Sequence, residues 1–422
     1  MTCEPWGGLS YGASVTTTTE TTAPPTVDEF RARAREWLAA NADTLAAREG
    51  HARMLSRETR ISVYDAGFGG IAWPVEYGGL GLSATHQEAF TEEAAKYPAL
   101  MVGDLVTVGI CAPTLLDFGT EEQKRRYIPH MLRGDEIWTQ LLSEPGAGSD
   151  LAGLQTRAVR DGDEWVVNGQ KVWTSGAQWS EFAIMIARTN SDVPKHQGLS
   201  MFVVDLKAPG VTIRPLKQIT GNDEFNEVFL DDVRLPAGYL VGAENDGWRA
   251  LLRMLMHERL AIGAGTSGAR MGRDMFTTLR ELAIERGVLE NEGVRAALLD
   301  LYVKEQLLNW LGQRMRDGAA SGKEPGPEGS LAKLLNAIVS KASSNAGMLI
   351  GGPGSQAWDP SEDAAGELAA AFLQAPMTAI AGGTSEIQRN TIGERVLGLP
   401  KEPQLDRDVP FRDVLQNPLR KG

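Results

Sequence analysis

From Trp138 to about Val241 the sequence reads as strands, and on both sides of that stretch it reads as helices. A block of strands enclosed by two blocks of helices points to an α+β multidomain chain. Within the middle block, Trp165-Val166-Val167-Asn168-Gly169-Gln170-Lys171-Val172-Trp173 sets an Asn-Gly pair between two apolar arms. That pattern predicts a hairpin turning at Asn168-Gly169. Phe182 to Ala187 and Leu199 to Val204 read as further strands. The block is about 100 residues long, an ordinary domain size.

Before it, Phe30, Ala34, Trp37 and Leu38 share one helical face, and the polar Asn41 suggests that this helix ends there. Thr120, followed by Glu121-Glu122-Gln123, reads as an N-cap with a capping box. Glycine clusters at Gly67-Phe68-Gly69-Gly70 and Gly78-Gly79-Leu80-Gly81 break the helices. The expected division is a disordered leader at 1–26, rich in Thr and Pro, a helical domain at 27–137 and a β domain at 138–243. A helical bundle at 244–400 and a tail at 401–422 complete it. We find no internal repeat.

Composition excludes several functions. The net charge is -13, which opposes nucleic-acid phosphates and anionic lipid. No apolar run reaches the roughly 18 residues of a membrane span; Leu100 to Leu116 contains Asp104. Cys3 and Cys111 are too far apart in sequence for a zinc site or a disulfide framework, and the five histidines lack ligand spacing, so no metal is expected. No basic segment followed by an apolar one opens the chain, and the expected location is cytoplasmic.

Several segments are candidates for chemistry. Gly263-Ala264-Gly265-Thr266-Ser267-Gly268 matches a dinucleotide fingerprint in form only, because Leu251 to Ile262 before it is helical. Close helix packing explains it better. Ser143-Glu144-Pro145-Gly146-Ala147-Gly148-Ser149-Asp150 follows a strand, Ile137 to Leu142, and combines small residues with hydroxyl donors. It reads equally as a phosphate-binding loop or a plain turn. Trp173-Thr174-Ser175-Gly176 places an indole beside hydroxyls, which suits a flat heteroaromatic ring or a core strand end. Gly382-Gly383-Thr384-Ser385-Glu386-Ile387-Gln388 opens a helix whose free N–H groups can receive an anion or a carbonyl.

Glu258 is the most informative single residue. Leu251, Leu255, Glu258 and Ile262 lie on one helical face, so a carboxylate sits in an apolar stripe. Burial raises a carboxyl pKa toward the value a general base needs. The alternative is a salt bridge to Arg259, Arg253 or another cation. His257 points about 100° away and is not expected to pair with it.

Together, the segment from Leu142 to Asp150, the Trp173-Thr174-Ser175 strand and the Gly383-Thr384-Ser385-Glu386-Ile387-Gln388-Arg389 run resemble the acyl-CoA dehydrogenase family of flavoproteins. Pro74 to Gly79 and Phe118 to Gln123 add support, and the resemblance spans roughly Val27 to Pro400. It implies an N-terminal helical domain, a central β barrel and a C-terminal four-helix bundle. It also implies FAD, an acyl-CoA substrate oxidised to the 2-enoyl-CoA in fatty-acid β-oxidation, and electron-transfer flavoprotein or a similar acceptor. A homodimer or homotetramer is expected, or an assembly mixed with a paralogue.

By resemblance, Leu142, Ser143, Gly148, Ser149, Trp173, Thr174, Ser175, Gly351, Gly352, Thr384 and Glu386 would contact the cofactor. Ser149, Arg259 and Gly383 would contact the substrate. Many members carry the base directly before the Gly-Thr-Ser run, where this chain has Gly382. A minority, similar to isovaleryl- and long-chain-type enzymes, carries it in a Glu-Arg-Leu context, here Glu258-Arg259-Leu260. Glu258 is thus the expected base, and the N–H of Gly382 the expected polariser of the thioester carbonyl.

The chain departs from the family in three places. Arg273-Asp274-Met275-Phe276 is followed by Thr277 rather than Gly, Met348 replaces a frequent Gln, and Leu141 replaces a small residue. The alternatives are a flavin monooxygenase or oxidase on the same fold, a DNA-associated relative, or a non-catalytic partner subunit.

Overall fold

The computed structural model describes residues 23–46, 56–97, 105–263, 274–322, 326–356 and 363–414. Most of the leader expected at 1–26, residues 264–268 of the Gly-rich run, Arg273, the Ile262 side chain and the end of the 401–422 tail lie outside the described residues.

The helical domain holds α1 (Val27–Ala46), α2 (Arg57–Val63), α3 (Ala84–Ala94), α4 (Ala112–Phe118) and α5 (Glu121–Arg133). Phe30, Ala34 and Leu38 are buried, as their spacing requires. The first helix runs past Asn41 rather than ending there. The Asn41 amide donates to the carbonyl of Trp37 (2.8 Å), one turn back, so the helix itself satisfies the polar group. At α5 the capping box forms: the Thr120 hydroxyl accepts from the Gln123 N–H (3.2 Å) and Gln123 Oε1 from the Thr120 N–H (3.0 Å). The Gln123 amide also donates to the carbonyls of Gly238 and Leu240, joining this helix to the β domain.

The β domain is one eight-stranded sheet, comprising β1 (Trp138–Leu141), β2 (Arg157–Asp161), β3 (Glu164–Ser175), β4 (Phe182–Arg188), β5 (Leu199–Asp205), β6 (Val211–Leu216), β7 (Phe225–Pro236) and β8 (Leu240–Val241). The order is β6-β7-β3-β2-β4-β5-β8, and β1 lies parallel to β4 with Gln140 opposite Ile184. The sheet curls round its own core. Trp165 of β3 meets Phe202 of β5 edge to face, although two strands separate them in the sheet.

The hairpin expected at Asn168-Gly169 is absent, and both residues lie inside the twelve-residue β3. The turn comes earlier, at Gly162-Asp163, where Asp161 pairs with Glu164. Asn168 is held in extended chain by Asp232 on β7, through bonds to the Asp232 side chain and N–H, both 2.9 Å. Asp231 and Asp232 bulge opposite it. At Gly169 a Cβ would come within 2.3 Å of the Thr156 hydroxyl, so the glycine serves close strand packing, not a turn.

The C-terminal helices are α6 (Gly247–Gly263), α7 (Met275–Glu285), α8 (Glu292–Ala320), α9 (Gly329–Gly351), α10 (Pro353–Gln356), α11 (Asp363–Thr378) and α12 (Ser385–Thr391). Ala250, Leu251 and Met254 of α6 enter one buried cluster with Tyr77, Ile110 and Leu115 of the first domain and Trp138, Leu142 and Ile184 of the second. Full burial of a Leu or Met side chain contributes about 2 kcal/mol. This cluster therefore fixes α6 against both neighbours. Residues beyond α12 return to the β domain: Phe411 is buried, its N–H donates to Val193 (2.9 Å), and Lys195 pairs with Asp406 (2.8 Å).

Candidate active site

Helix α6 carries its polar groups on two faces. On the outer face, Arg253 and His257 both engage Asp117 of α4 (2.7 and 2.8 Å), so Arg253 is not a partner for Glu258. On the inner face, Leu251, Met254 and Ala261 are buried, and so is Glu258, 9% exposed. Among the described residues no cation lies within 4.0 Å of its oxygens. Its hydrogen-bond donor is Gln140 of β1, with Nε2 at 3.4 Å from Oε2. Burial pushes the carboxyl above its ordinary range, while the Gln140 amide and the charges of Arg259 and Lys333 pull part of the way back. The salt-bridge reading fails, and a buried carboxylate without a contact ion pair remains.

The loop between α11 and α12 is linked to α6 through α9, which packs against both α6 and α12. Gly382 and Gly383 both adopt left-handed φ, 65° and 91°, which a side chain would strain. The amide of Gln388, itself buried, donates to the carbonyls of Gly382 (3.0 Å) and Gly383 (3.3 Å). With the carbonyls held inward, the N–H groups of Gly382 and Gly383 find no acceptor among the described residues. Thr384 caps α12 by accepting from the Ile387 N–H (3.2 Å). Glu386 is exposed and pairs with Arg389 (3.4 Å). Lys333 of α9 donates to the carbonyl of Thr378 (2.6 Å), at the end of α11 where this loop begins.

Strand β1 leads from Gln140 into the third part of the site. Leu142 is buried, and its carbonyl accepts from Lys171 Nζ (3.0 Å); the Ser143 carbonyl accepts from the Val172 N–H (2.9 Å). Glu144 accepts from Gln155 N (2.6 Å), Thr156 N (2.9 Å) and Lys171 Nζ (3.0 Å), the lysine being fully buried. Burial disfavours the Glu144 carboxylate, but Lys171 and these N–H groups outweigh it and its pKa falls. The pair nails the loop down by its base, leaving Gly148 and Ser149 exposed, with nothing near the Gly148 Cα.

Next to this loop, β3 bulges. Trp173 lies at φ 60° and is 62% exposed, Thr174 is buried with its hydroxyl unpartnered, and the Ser175 carbonyl accepts from Thr139 (2.7 Å). An outward indole, an orphaned hydroxyl and an open glycine make a cradle that fits a flat ring with a phosphate tail.

Not every expected residue joins this group. Arg259 is half-buried beside Glu258, and burial lowers its pKa. Gly351 and Gly352 close the opposite end of α9, roughly 27 Å from Lys333 along the axis. Four residues with structural parts here, Gln140, Lys171, Lys333 and Gln388, were not singled out from sequence. Ser330, Lys333, Ala337 and Ser344 form one buried stripe of α9 with a cation in it.

Family models for the N-terminal, middle and C-terminal domains of acyl-CoA dehydrogenase match residues 24–135, 139–233 and 245–397. Acyl-CoA dehydrogenase IpdE1 of Mycobacterium tuberculosis is 41% identical over 393 residues, covering 89% of this chain and 98% of the relative. The chain belongs to the acyl-CoA dehydrogenase family. As an acyl-CoA dehydrogenase it has further relatives in FadE34 of the same organism, 39% identical, with 83% of this chain matching 47% of that longer protein. The solved Tcur3481-Tcur3483 steroid ACAD matches with a TM-score of 0.76 at 30% identity, over 90% of this chain and 99% of that one. The ChsE4-ChsE5 complex of M. tuberculosis matches with a TM-score of 0.71 at 31% identity, over 90% and 100%. IpdE1 and FadE34 are both named as acyl-CoA dehydrogenases. Among the described residues no helix is long and apolar enough to cross a membrane.

Proposed function

We propose that this acyl-CoA dehydrogenase uses FAD, takes a CoA thioester with a bulky steroid-derived acyl group, and uses Glu258 as its base. The observation that carries the reading is a buried Glu258 carboxylate with no contact ion pair, while the alternative base position is a glycine, Gly382. Glu258 accepts the proton from the carbon next to the thioester carbonyl. The N–H groups of Gly382 and Gly383 donate to the carbonyl oxygen, where negative charge grows as that proton leaves. Bound FAD supplies the acceptor for the hydride that departs from the β carbon. Trp173, Thr174 and Ser175 flank its ring, and Ser143, Gly148 and Ser149 hold its phosphates.

The steroid assignment draws on the solved steroid ACAD among the relatives and takes the place of the expected fatty-acid β-oxidation. Two solved relatives have paired names, which supports assembly with a second dehydrogenase chain, identical or paralogous. The test is anaerobic bleaching of the flavin-loaded protein by a panel of steroid-side-chain, branched and straight CoA thioesters. Bleaching is expected with the first group. Glu258→Gln should slow it by at least about 100-fold; turnover at the parent rate would remove the base assignment, and bleaching by straight chains alone would remove the steroid one.

A further inference from the structure

We propose that Lys333 is a positioning residue for the dehydrogenation, whose ammonium fastens the start of the Gly382-Gly383 loop and sets a positive charge opposite Glu258 without touching it. The inference rests on Glu258 being the base. Lys333 is buried, 8% exposed, on a helix that packs against both α6 and α12. Its Nζ donates to the Thr378 carbonyl, among the last carbonyls of α11, where a cation also complements the helix dipole. Four residues later comes Gly382.

The charge is separated from its counter-charge by design of the packing. No contact within 4.0 Å joins Lys333 to Glu258, yet each acts electrostatically on the other. A contact pair would hold the carboxylate oxygens away from substrate; a nearby charge favours the ionised form and leaves them free. Two charges favour the ionised form of Glu258: Arg259, its neighbour on α6 itself and the stronger of the two, and Lys333, the one that also holds the Gly382-Gly383 loop; β1 contributes the neutral Gln140. On α4, Asp117 is engaged by Arg253 and His257 on the outer face. In the Thr107–Cys111 turn the titratable group is Cys111, whose thiol burial pushes up and keeps neutral. One side chain thus ties the ionisation of the base to the position of the carbonyl-polarising loop.

A lysine that merely capped α11 would lower activity equally at every pH. The experiment is the pH profile of kcat/KM for the flavin-loaded enzyme with a thioester it turns over, comparing Lys333→Met, Lys333→Gln and Lys333→Arg. Losing the charge moves the acid limb to higher pH. Lys333→Met and Lys333→Gln should therefore lose at least about 10-fold near about pH 6 and recover much of it near about pH 9. Lys333→Arg should restore most of the low-pH activity. Lys333→Gln keeps a donor for Thr378, so it decides the matter even where Lys333→Met does not fold. A uniform loss with an unmoved acid limb overturns the role of Lys333. Full activity of Glu258→Gln, measured separately, overturns the base assignment instead.

Discussion

Trp173 sits at φ 60°, where a bulky L-residue is strained by about 1–2 kcal/mol. Its indole is exposed and touches Phe225 edge to face at 6.2 Å, so little packing offsets that cost. Strain retained without burial points to a ligand-facing role. Trp173→Gly should change unfolding free energy by less than about 1 kcal/mol, since relief of strain and added chain entropy oppose each other. The same variant should lose flavin on gel filtration, and Trp173→Phe should keep more of it. A large fall in stability with flavin retained would make Trp173 structural.

Glu258 allows a pH argument at the same scale. Burial holds its folded pKa above the unfolded value of about 4.3, so the native state binds this proton more tightly. Its stabilising contribution is complete below that unfolded value and is lost as pH rises through the folded one. Glu258→Gln removes the titration. Its melting temperature should decline less than the parent's between about pH 5 and pH 8, and match or exceed it at the upper end. Parallel curves would show that Glu258 is not held in an unfavourable environment. This residue was legible in the sequence because its anomaly is local: one carboxylate within an apolar period. Gln140 and Lys333 were not, because their meaning arises only when β1 and α9 are brought to α6, 118 residues away in the case of Gln140.

Among the elements, helices with local end signals were read well and β3 was not. The Thr120–Gln123 capping box forms as expected because all its bonds fall within four residues. The Asn168-Gly169 turn does not form, because Asp232 on a distant strand takes both polar groups of the Asn168 side chain. The true turn, Gly162-Asp163, is also a recognised hairpin pair, though a weaker signal than Asn-Gly. Lys171 lies on this misread strand, which explains why its pairing with Glu144 was missed. That pair holds the loop from Ser143 to Asp150 to β3. Lys171→Met would leave a buried carboxylate with backbone donors only, and breaking such a pair costs about 3–5 kcal/mol. Urea unfolding should show that loss, together with weaker flavin retention. A smaller loss, below about 1 kcal/mol, would mean that the backbone N–H groups alone satisfy Glu144.

For the whole molecule, the outer face of α8 is an apolar surface left exposed among the described residues. Leu299, Tyr302, Val303, Leu307 and Trp310 follow helical spacing along one face, and all are exposed. Monomeric proteins rarely leave so long an apolar stripe open, and in the proposed assembly a second chain would cover it. A separate geometric argument leads the same way. Gly351 and Gly352 sit roughly 27 Å along α9 from Lys333, away from the Gly382-Gly383 loop that Lys333 fastens. Under the proposed assembly they would be placed to contact a neighbouring chain's cofactor. Leu307→Glu combined with Trp310→Glu should therefore do two things at once. Sedimentation should show a single chain in place of the proposed assembly, and flavin absorbance per chain should fall in proportion. Dissociation with flavin fully retained would show that one chain holds the cofactor unaided; an intact assembly would move the interface to another face.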